Sequence, residues 1–206
     1  VLKGIMPAIS DTERAALEAG VVWAEGELFS GKPNFKKLMN ESYPQLTPEE
    51  KAFIDGPVER LCDSIDDWEV WEKRDIPQAA WDIIKKEKFL GMIIPKEYGG
   101  LGFSAMAHSE VIKKLSSRSI PACITVMVPN SLGPAELLIH YGTDQQKKHL
   151  LPRLATGEEI PCFALTEPGA GSSPDAIRTT ATANGDGWVL EGTKRFITNA
   201  PQAGLF

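Results

Sequence analysis

The feature that most constrains the fold of this chain is a change of sequence pattern near Ile160. Before that residue, apolar side chains recur at helical spacing in segments that open with capping residues. After it, the apolar runs shorten to a few residues, and turn-forming residues separate them. The pattern predicts an α+β chain, in which a helical domain is followed by the start of an antiparallel β domain.

Two capping boxes mark the clearest helix starts. Thr47 with Glu50, and Thr143 with Gln146, have the spacing at which a hydroxyl and a side chain three residues later exchange hydrogen bonds with the backbone. Helices are predicted over 10–29, 47–68, 80–89, 104–116, 120–132, 135–141 and 143–155. We expect an N-terminal helical extension over 1–46 and a helical domain over 47–159.

Short strands are predicted in the rest of the chain. They cover 162–166, 177–181, 188–191 and 195–198. Asn184-Gly185-Asp186-Gly187, between two of them, is typical of a hairpin. The last three residues have the pattern of another strand opening, so we expect the β domain over 160–206 to be incomplete.

A glycine cluster at 97–102 predicts a turn in the helical part. Its sequence is EYGGLG, and it follows a short apolar run. Glycine permits positive φ angles and lets two stretches of backbone approach closely. The cluster therefore predicts a tight turn that other residue types would not allow.

Charge and cysteine patterns exclude several classes of function. The net charge is −6 and the lysine pairs are interrupted, which argues against a nucleic-acid partner. No run in the sequence approaches the ~20 apolar residues of a membrane helix, and no signal-peptide pattern is found. Cys62, Cys123 and Cys162 lack ligand spacing. We expect a soluble, cytoplasmic chain in a reducing compartment, without a metal site.

The stretch 166–173 holds the residues best suited to contact a polar ligand. It combines two glycines with hydroxyl side chains, so backbone N–H groups can approach a ligand closely. It lacks the lysine of a P-loop and the third glycine of a dinucleotide fingerprint. These residues alone are compatible with two interpretations: an ordinary tight loop, or a loop that binds a ligand. Two interpretations also apply to Phe163, Leu165 and Phe196: they are either core residues of strands or contacts to a ligand.

Two stretches of the β part resemble the flavin-binding segments of the acyl-CoA dehydrogenase family. They are FALTEPGAGS at 163–172 and GTKRFITN at 192–199, and the spacing between them also fits. Upstream, 95–102 and 140–147 resemble the helical domain of that family. The segment 23–33 is similar to the large bacterial fatty-acid-degradation subgroup, which acts on long chains.

The resemblance implies FAD as cofactor and a fold in which a second helical domain follows the β domain. We expect that second helical domain to be absent from this sequence. The positions that match the family's flavin contacts are Phe163, Leu165, Thr166, Gly171, Ser172, Phe196, Ile197 and Thr198. Ser172 also matches a substrate-binding position.

Two departures from the family pattern concern these segments. An aspartate usually follows the loop serine directly, whereas Ser173-Pro174-Asp175 places the acid two positions later. Phe196 stands where tryptophan is common, so a hydrogen-bond donor is lost while the aromatic face is kept. The first departure predicts a change in how the loop is braced.

The family reaction removes an α-proton from an acyl-CoA with a glutamate while a hydride passes to flavin, giving a trans-2-enoyl thioester. The resemblance puts that base beyond residue 206, so we assign no catalytic residue in this sequence. Glu167 is interpreted as bracing its own turn. We expect the chain alone to be inactive and to bind FAD weakly or not at all.

The resemblance also implies partners for the complete protein. These are acyl-CoA of medium to long chain length, an electron-transfer flavoprotein or similar acceptor, and further copies of the same subunit. The subgroup likeness leaves attachment to the bacterial inner membrane open, although the subgroup's membrane-inserting segments are not in this sequence. Two alternatives stay open: an acyl-CoA oxidase, and a non-catalytic acyl-CoA or flavin-binding module of the same fold.

Overall fold

The structure is a computed structural model that describes residues 28, 30–131 and 133–206. The predicted helix over 10–29 lies outside the described residues, apart from Leu28. The chain divides into two compact units, 1–44 and 45–206. The described part of the first unit contains one short helix, α1 (Phe35–Met39), for which Asn34 is the N-cap.

The second unit consists of helices followed by one hairpin, which confirms the α+β prediction. The α-helices are α2 (Pro48–Phe53), α3 (Glu59–Asp63), α4 (Asp67–Lys73), α5 (Gln78–Lys86), α6 (Ala105–Ser116), α7 (Ile120–Met127), α8 (Pro134–Tyr141) and α9 (Asp144–Thr156). A π-helix spans Ile54–Val58, and 3₁₀ turns span Phe89–Gly91, Lys96–Tyr98, Pro174–Ala176 and Ala200–Gln202. The strands are β1 (Thr180–Asn184) and β2 (Gly187–Glu191).

The predicted caps are confirmed. Both halves of the capping box form at Thr47 with Glu50, and the same holds at Thr143 with Gln146. Gly157 ends α9 in the left-handed conformation, with φ of 71°. These signals are local, so the sequence is sufficient to place both helix starts.

The helix predicted over 47–68 is interrupted. A π-helix containing Pro57 separates α2 from α3, because proline cannot donate a backbone hydrogen bond within a regular helix. Nζ of Lys114 on α6 also donates to the carbonyl of Ile54 in this segment, at 2.9 Å. Trp68 belongs to the separate helix α4 and is exposed. The prediction that Trp68 continues the same apolar face is therefore wrong.

The core of the second unit lies among the helices. Its largest apolar cluster includes Phe53, Leu61, Ile84, Phe89 and Val111, all buried. Side chains of this size contribute about 1.5–3 kcal/mol each when fully buried. A smaller cluster, which includes Ile94, Leu151 and Leu154, lies under α9. The helical part therefore has a well-packed interior, made of two apolar clusters, that can support an attached loop region.

The predicted hairpin is confirmed. β1 pairs with β2 in antiparallel register, with Asn184 opposite Gly187, and Gly185 in the two-residue loop has a φ of 61°. All residues of both strands are exposed. The strand predicted over 177–181 is displaced toward β1, which begins at Thr180.

The strands predicted over 162–166 and 195–198 are wrong for this structure. Within the described ranges neither segment joins a strand ladder; Pro161 forms only an isolated parallel bridge with Leu205. Phe196 has a φ of 58°, a left-handed angle that a regular strand does not contain. A strand needs a paired neighbour as well as an apolar run, and these segments lack one here.

Glu50 is a buried carboxylate that connects the start of α2 with the start of α6. Its Oε2 accepts from the Thr47 N–H at 2.7 Å, and its Oε1 accepts from the Ser104 N–H at 2.8 Å. Burial alone raises the pKa of Glu50, but the hydrogen bonds from Ser104 and Thr47 outweigh it and lower the pKa from 4.5 to about 2. The stabilisation by the ionised form is therefore fully present above pH 4.5 and is lost as the pH falls toward 2.

We expect Glu50→Gln to lower the free energy of unfolding by about 2 kcal/mol at neutral pH, because a buried, charged acceptor of two backbone N–H groups is lost. The difference from wild type should shrink as the pH falls from 4.5 toward 2. Denaturant unfolding over this pH range measures it. Glu49→Gln is the matched control, since Glu49 is exposed and pairs only with Lys96 at the surface. An equal effect of the two substitutions at every pH would contradict the prediction.

The described residues contain neither a membrane-spanning helix nor a metal-binding cluster. No helix among the described residues is long and apolar enough to cross a bilayer. In the same part of the chain, no cluster of three or more histidine, cysteine or acidic side chains is placed to hold a metal ion. Cys62, Cys123 and Cys162 are buried free thiols, and burial raises the pKa of each.

Candidate functional site

The two stretches singled out in the β part lie beside each other; we call them the first motif segment (163–172) and the second motif segment (192–199). The N–H of Arg195 donates to the carbonyl of Thr166 at 2.9 Å. Nζ of Lys194 donates to the carbonyl of Leu165 at 3.0 Å. The backbone thus brings together two segments that are separated by the whole β1–β2 hairpin.

The side-chain carboxylate of Glu167 lies in a tight cluster of polar groups. Its residue exposure is 7%, and its Oε2 accepts from the Arg178 N–H at 2.7 Å. Its Oε1 accepts from the Thr179 N–H at 3.0 Å, from the Thr179 hydroxyl, and from Nζ of Lys194 at 2.9 Å. Four donors therefore converge on one carboxylate.

These donors keep Glu167 ionised. The Thr179 hydroxyl, the Arg178 N–H and the Lys194 ammonium lower the pKa of Glu167 from 4.5 to about 2. A general base works best with a pKa near the working pH, and its lone pairs must reach the substrate. Glu167 satisfies neither condition, and its carboxylate instead connects its loop to Arg178, Thr179 and Lys194.

The glycine loop after Glu167 is open on its outer side. Glu167 and Ala170 exchange two backbone hydrogen bonds, of 2.8 and 3.2 Å, which close the turn. A Cβ built on Gly169 or on Gly171 would meet no atom within 4 Å. Ser172 is exposed as well. The loop therefore presents backbone and hydroxyl groups to the space outside the chain.

The three large apolar residues proposed as ligand contacts in the motif segments, Phe163, Leu165 and Phe196, are not core residues in this structure. Phe163 is 38% exposed, Leu165 is 36% exposed and Phe196 is 80% exposed. The guanidinium of Arg195 lies 4.1 Å from the centre of the Phe196 ring, on one of its faces. Exposed aromatic and aliphatic faces beside a glycine loop are suited to a flat apolar ligand that carries polar groups.

The candidate residues do not all line one cavity. Phe163 lines a cavity of about 590 Å³ together with Leu190 and Lys194. Thr198 lines another, of about 580 Å³, between α4 and α7. The hydrogen bond of 3.2 Å from Nδ2 of Asn199 to the Thr125 carbonyl attaches the second motif segment to α7. Thr166 and Ile197 are half-buried.

Three residues with a clear structural role received no role from the sequence: Lys194, Thr179 and Asn199. Lys194 lies inside the second motif segment, and a lysine next to an apolar predicted strand is a signal that could have pointed to a carboxylate partner. Thr179 and Asn199 gave no signal, because their partners lie 12 and 74 residues away in sequence.

Comparison with protein families places both parts of the chain. Residues 47–158 match the model described as "Acyl-CoA dehydrogenase, N-terminal domain". Residues 162–206 match "Acyl-CoA dehydrogenase, middle domain". The first match alone covers more than half of the chain, and the second contains both motif segments.

The chain is also similar to individual proteins of this family. The chain is 39% identical over 152 residues to 3-(aryl)acrylate reductase of Clostridium sporogenes, covering 73% of this chain and 38% of that protein. It is 39% identical over 125 residues to the human mitochondrial short-chain specific acyl-CoA dehydrogenase, covering 58% and 30%. The crystal structure of an acyl-CoA dehydrogenase complexed with FAD from Bacillus anthracis superposes with a TM-score of 0.67 at 30% identity, over 77% of this chain and 28% of that chain. The chain thus spans about a third of the length of the relatives it matches.

Proposed function

Because this chain belongs to the acyl-CoA dehydrogenase family, we propose that it forms part of an FAD-dependent enzyme that introduces a trans α,β double bond into acyl-CoA thioesters. The observation that carries the proposal is the hydrogen bond from the Arg195 N–H to the Thr166 carbonyl, which joins the two motif segments. The FAD complex of the Bacillus anthracis relative supports the choice of cofactor.

The residues present fit a flavin. Its ring system is flat and largely apolar, and Phe163, Leu165 and Phe196 expose apolar faces on two adjoining segments. Its phosphates need backbone and hydroxyl donors that can come close, and Gly171 and Ser172 leave that space open. We therefore propose all eight positions named from the resemblance as its contacts, with Ser172 also near the thioester.

When bound, the flavin supplies the redox chemistry by accepting a hydride from the β-carbon of the substrate. The described residues of this chain supply position. Thr166 is held through its carbonyl by Arg195, which positions the backbone of the first motif segment at this residue. The aromatic and aliphatic side chains of the motif segments exclude water from the ring face, which strengthens electrostatic interactions there. We assign no general base among these residues, since Glu167 is committed to four donors.

We also propose a substrate class, an electron acceptor and an oligomeric state from the family resemblance. We propose medium- to long-chain acyl-CoA from the likeness of 23–33 to the long-chain subgroup, whereas the relatives compared above are named for short-chain acyl-CoA and for arylacrylate. We further propose an electron-transfer flavoprotein as acceptor and a homo-oligomeric complete protein. The domain limits are proposed as 1–46, 47–159 and 160–206.

We expect Gly171→Ala to weaken flavin binding by about tenfold without loss of stability, because the added methyl group meets the ligand and no part of the chain. FAD titration of the apoprotein expressed from the complete gene measures the affinity, and thermal unfolding measures stability. Gly169→Ala is the matched control: it lies in the same loop, has the same open surroundings, and is not a proposed contact. Equal flavin affinity of the two variants, or no flavin binding by the wild-type protein, would overturn the proposed site.

A further inference from the structure

A buried carboxylate–ammonium pair lies behind the proposed flavin loop, and neither member is one of the proposed flavin contacts. The pair consists of Glu167 and Lys194, whose side chains are 6% and 24% exposed. We propose that this pair is a positioning device that holds the first motif segment in the conformation that binds flavin. The inference rests on the proposed function and adds two residues to it.

The carboxylate of Glu167 connects three separate parts of the chain. One is its own loop, the second is the stretch that leads into β1, where the N–H groups of Arg178 and Thr179 donate to it, and the third is Lys194 after β2. A carboxylate accepts hydrogen bonds on both oxygens, and here both are used. Removing its charge would therefore loosen all three parts at one point.

Lys194 acts on the loop twice. Besides its bond to Glu167, its Nζ donates to the carbonyl of Leu165 at 3.0 Å. The next residue, Arg195, donates its N–H to the carbonyl of Thr166. Three successive residues, 165–167, are thus each fixed by the second motif segment, and these are the residues that precede the glycine loop.

The close contact of this pair with Thr179 depends on Gly192. A Cβ on Gly192 would lie 2.2 Å from Oγ1 of Thr179, which is far inside van der Waals contact. The absence of a side chain at 192 therefore lets Thr179 reach Glu167. The contact between Glu167, Lys194 and Thr179 therefore depends on close packing as well as on opposite charges.

The other end of the loop has no comparable anchor. Ser172, Ser173 and Asp175 are exposed, and in the part of the chain that the structure describes the Asp175 carboxylate makes no hydrogen bond or ion pair. This is the acid that the sequence displaces by two positions. Since the displaced acid does not brace the loop, the loop conformation depends on the Glu167–Lys194 end.

Two substitutions test the pair in the protein expressed from its complete gene. Glu167→Gln keeps the shape of the side chain but removes its charge. The amide NH₂ of the glutamine would then face hydrogen-bond donors that the carboxylate accepts from in the wild-type protein. Lys194→Met keeps the length of the stem and removes both hydrogen bonds. We expect each to raise the dissociation constant for FAD by about tenfold or more, and the double variant to be little worse than either single one, because each breaks the same unit.

Lys194→Arg provides a test that a purely structural role would not pass. Arginine keeps the charge and can donate to both the carboxylate and the Leu165 carbonyl, so flavin affinity should largely recover relative to Lys194→Met. Hydrogen exchange of the Arg178 and Thr179 amides in the flavin-free protein is the second readout; it should speed up in Glu167→Gln. Glu110→Gln and Lys113→Met, which alter an exposed ion pair on α6, are matched controls and should change neither quantity.

The outcomes separate the inference from the proposed function. Wild-type protein that binds no flavin would refute the proposed function, and the inference with it. Wild-type protein that binds flavin, with Glu167→Gln and Lys194→Met binding it equally tightly, would overturn the inference alone. Faster exchange at Arg178 and Thr179 together with weaker flavin binding would support it.

Discussion

We expect Asn130→Leu to lower the free energy of unfolding by about 3–5 kcal/mol, because it leaves several buried backbone groups without partners. Asn130 is 3% exposed and lies just after α7. Its Nδ2 donates to the carbonyls of Phe89 and Val126, at 2.7 and 2.9 Å, and its Oδ1 accepts from the Ile93 N–H at 3.2 Å. One side chain thus connects the backbone of the segment 89–93 with the backbone of α7.

Leucine is chosen for this test because it is close to asparagine in size, so cavity formation contributes little to the result. Denaturant unfolding measures the loss. Asn40→Leu is the control, since Asn40 is exposed and its hydrogen bonds are made by its backbone N–H. Asn130→Asp should be at least as harmful at neutral pH, because a carboxylate would face two carbonyl oxygens. A loss below 1 kcal/mol for Asn130→Leu would show that these bonds do not hold the two segments together.

Local features were predictable from the sequence because their causes lie within a few residues. The capping boxes at Thr47 and Thr143 formed as expected, since both partners are three residues apart. The glycine cluster also behaved as expected: Gly99 and Gly102 have φ angles of 83° and 60°. Such signals need no knowledge of the rest of the fold.

The strands over 162–166 and 195–198 were mispredicted for a different reason. Apolar alternation predicts that a segment is suited to a sheet, but a strand also needs a neighbour with which to pair. Here the two segments meet through the single bond between Arg195 and Thr166, and the left-handed Phe196 ends any regular pairing. The sequence could indicate their adjacency through the family resemblance but not this geometry.

The sequence predicted which two segments form the candidate site, but not the side-chain contacts that join them. Its two segments came from motifs, and the structure places them side by side. The bonds from Lys194 to Leu165 and Glu167 span 29 and 27 residues, and no local pattern reports a contact of that range. Thr198 also lies in a separate cavity from Phe163, because Asn199 attaches its segment to α7.

The prediction with the other large effect concerns Gly100, in the glycine cluster before α6. A Cβ at this position would lie 2.1 Å from the carbonyl oxygen of Ile94 and 2.5 Å from its Cβ. That carbonyl accepts the Gly102 N–H at 2.9 Å, and Ile94 is itself fully buried in the cluster under α9. An alanine cannot be accommodated by rotating a side chain, because the nearest atoms belong to the backbone.

We therefore expect Gly100→Ala to cost about 3–5 kcal/mol of unfolding free energy, since Ile94 must leave its place and the Gly102 bond is lost. Gly99→Ala isolates backbone strain: its φ is 83° and no atom lies near, so a cost of about 1–2 kcal/mol is expected. Gly169→Ala, with open space and no positive φ, should change stability by less than about 0.5 kcal/mol. Thermal or denaturant unfolding of the three variants should give this order. If Gly100→Ala lost no more unfolding free energy than Gly99→Ala, the prediction would be contradicted. The need for glycine in this cluster would then come from its backbone conformation and not from the close contact with Ile94.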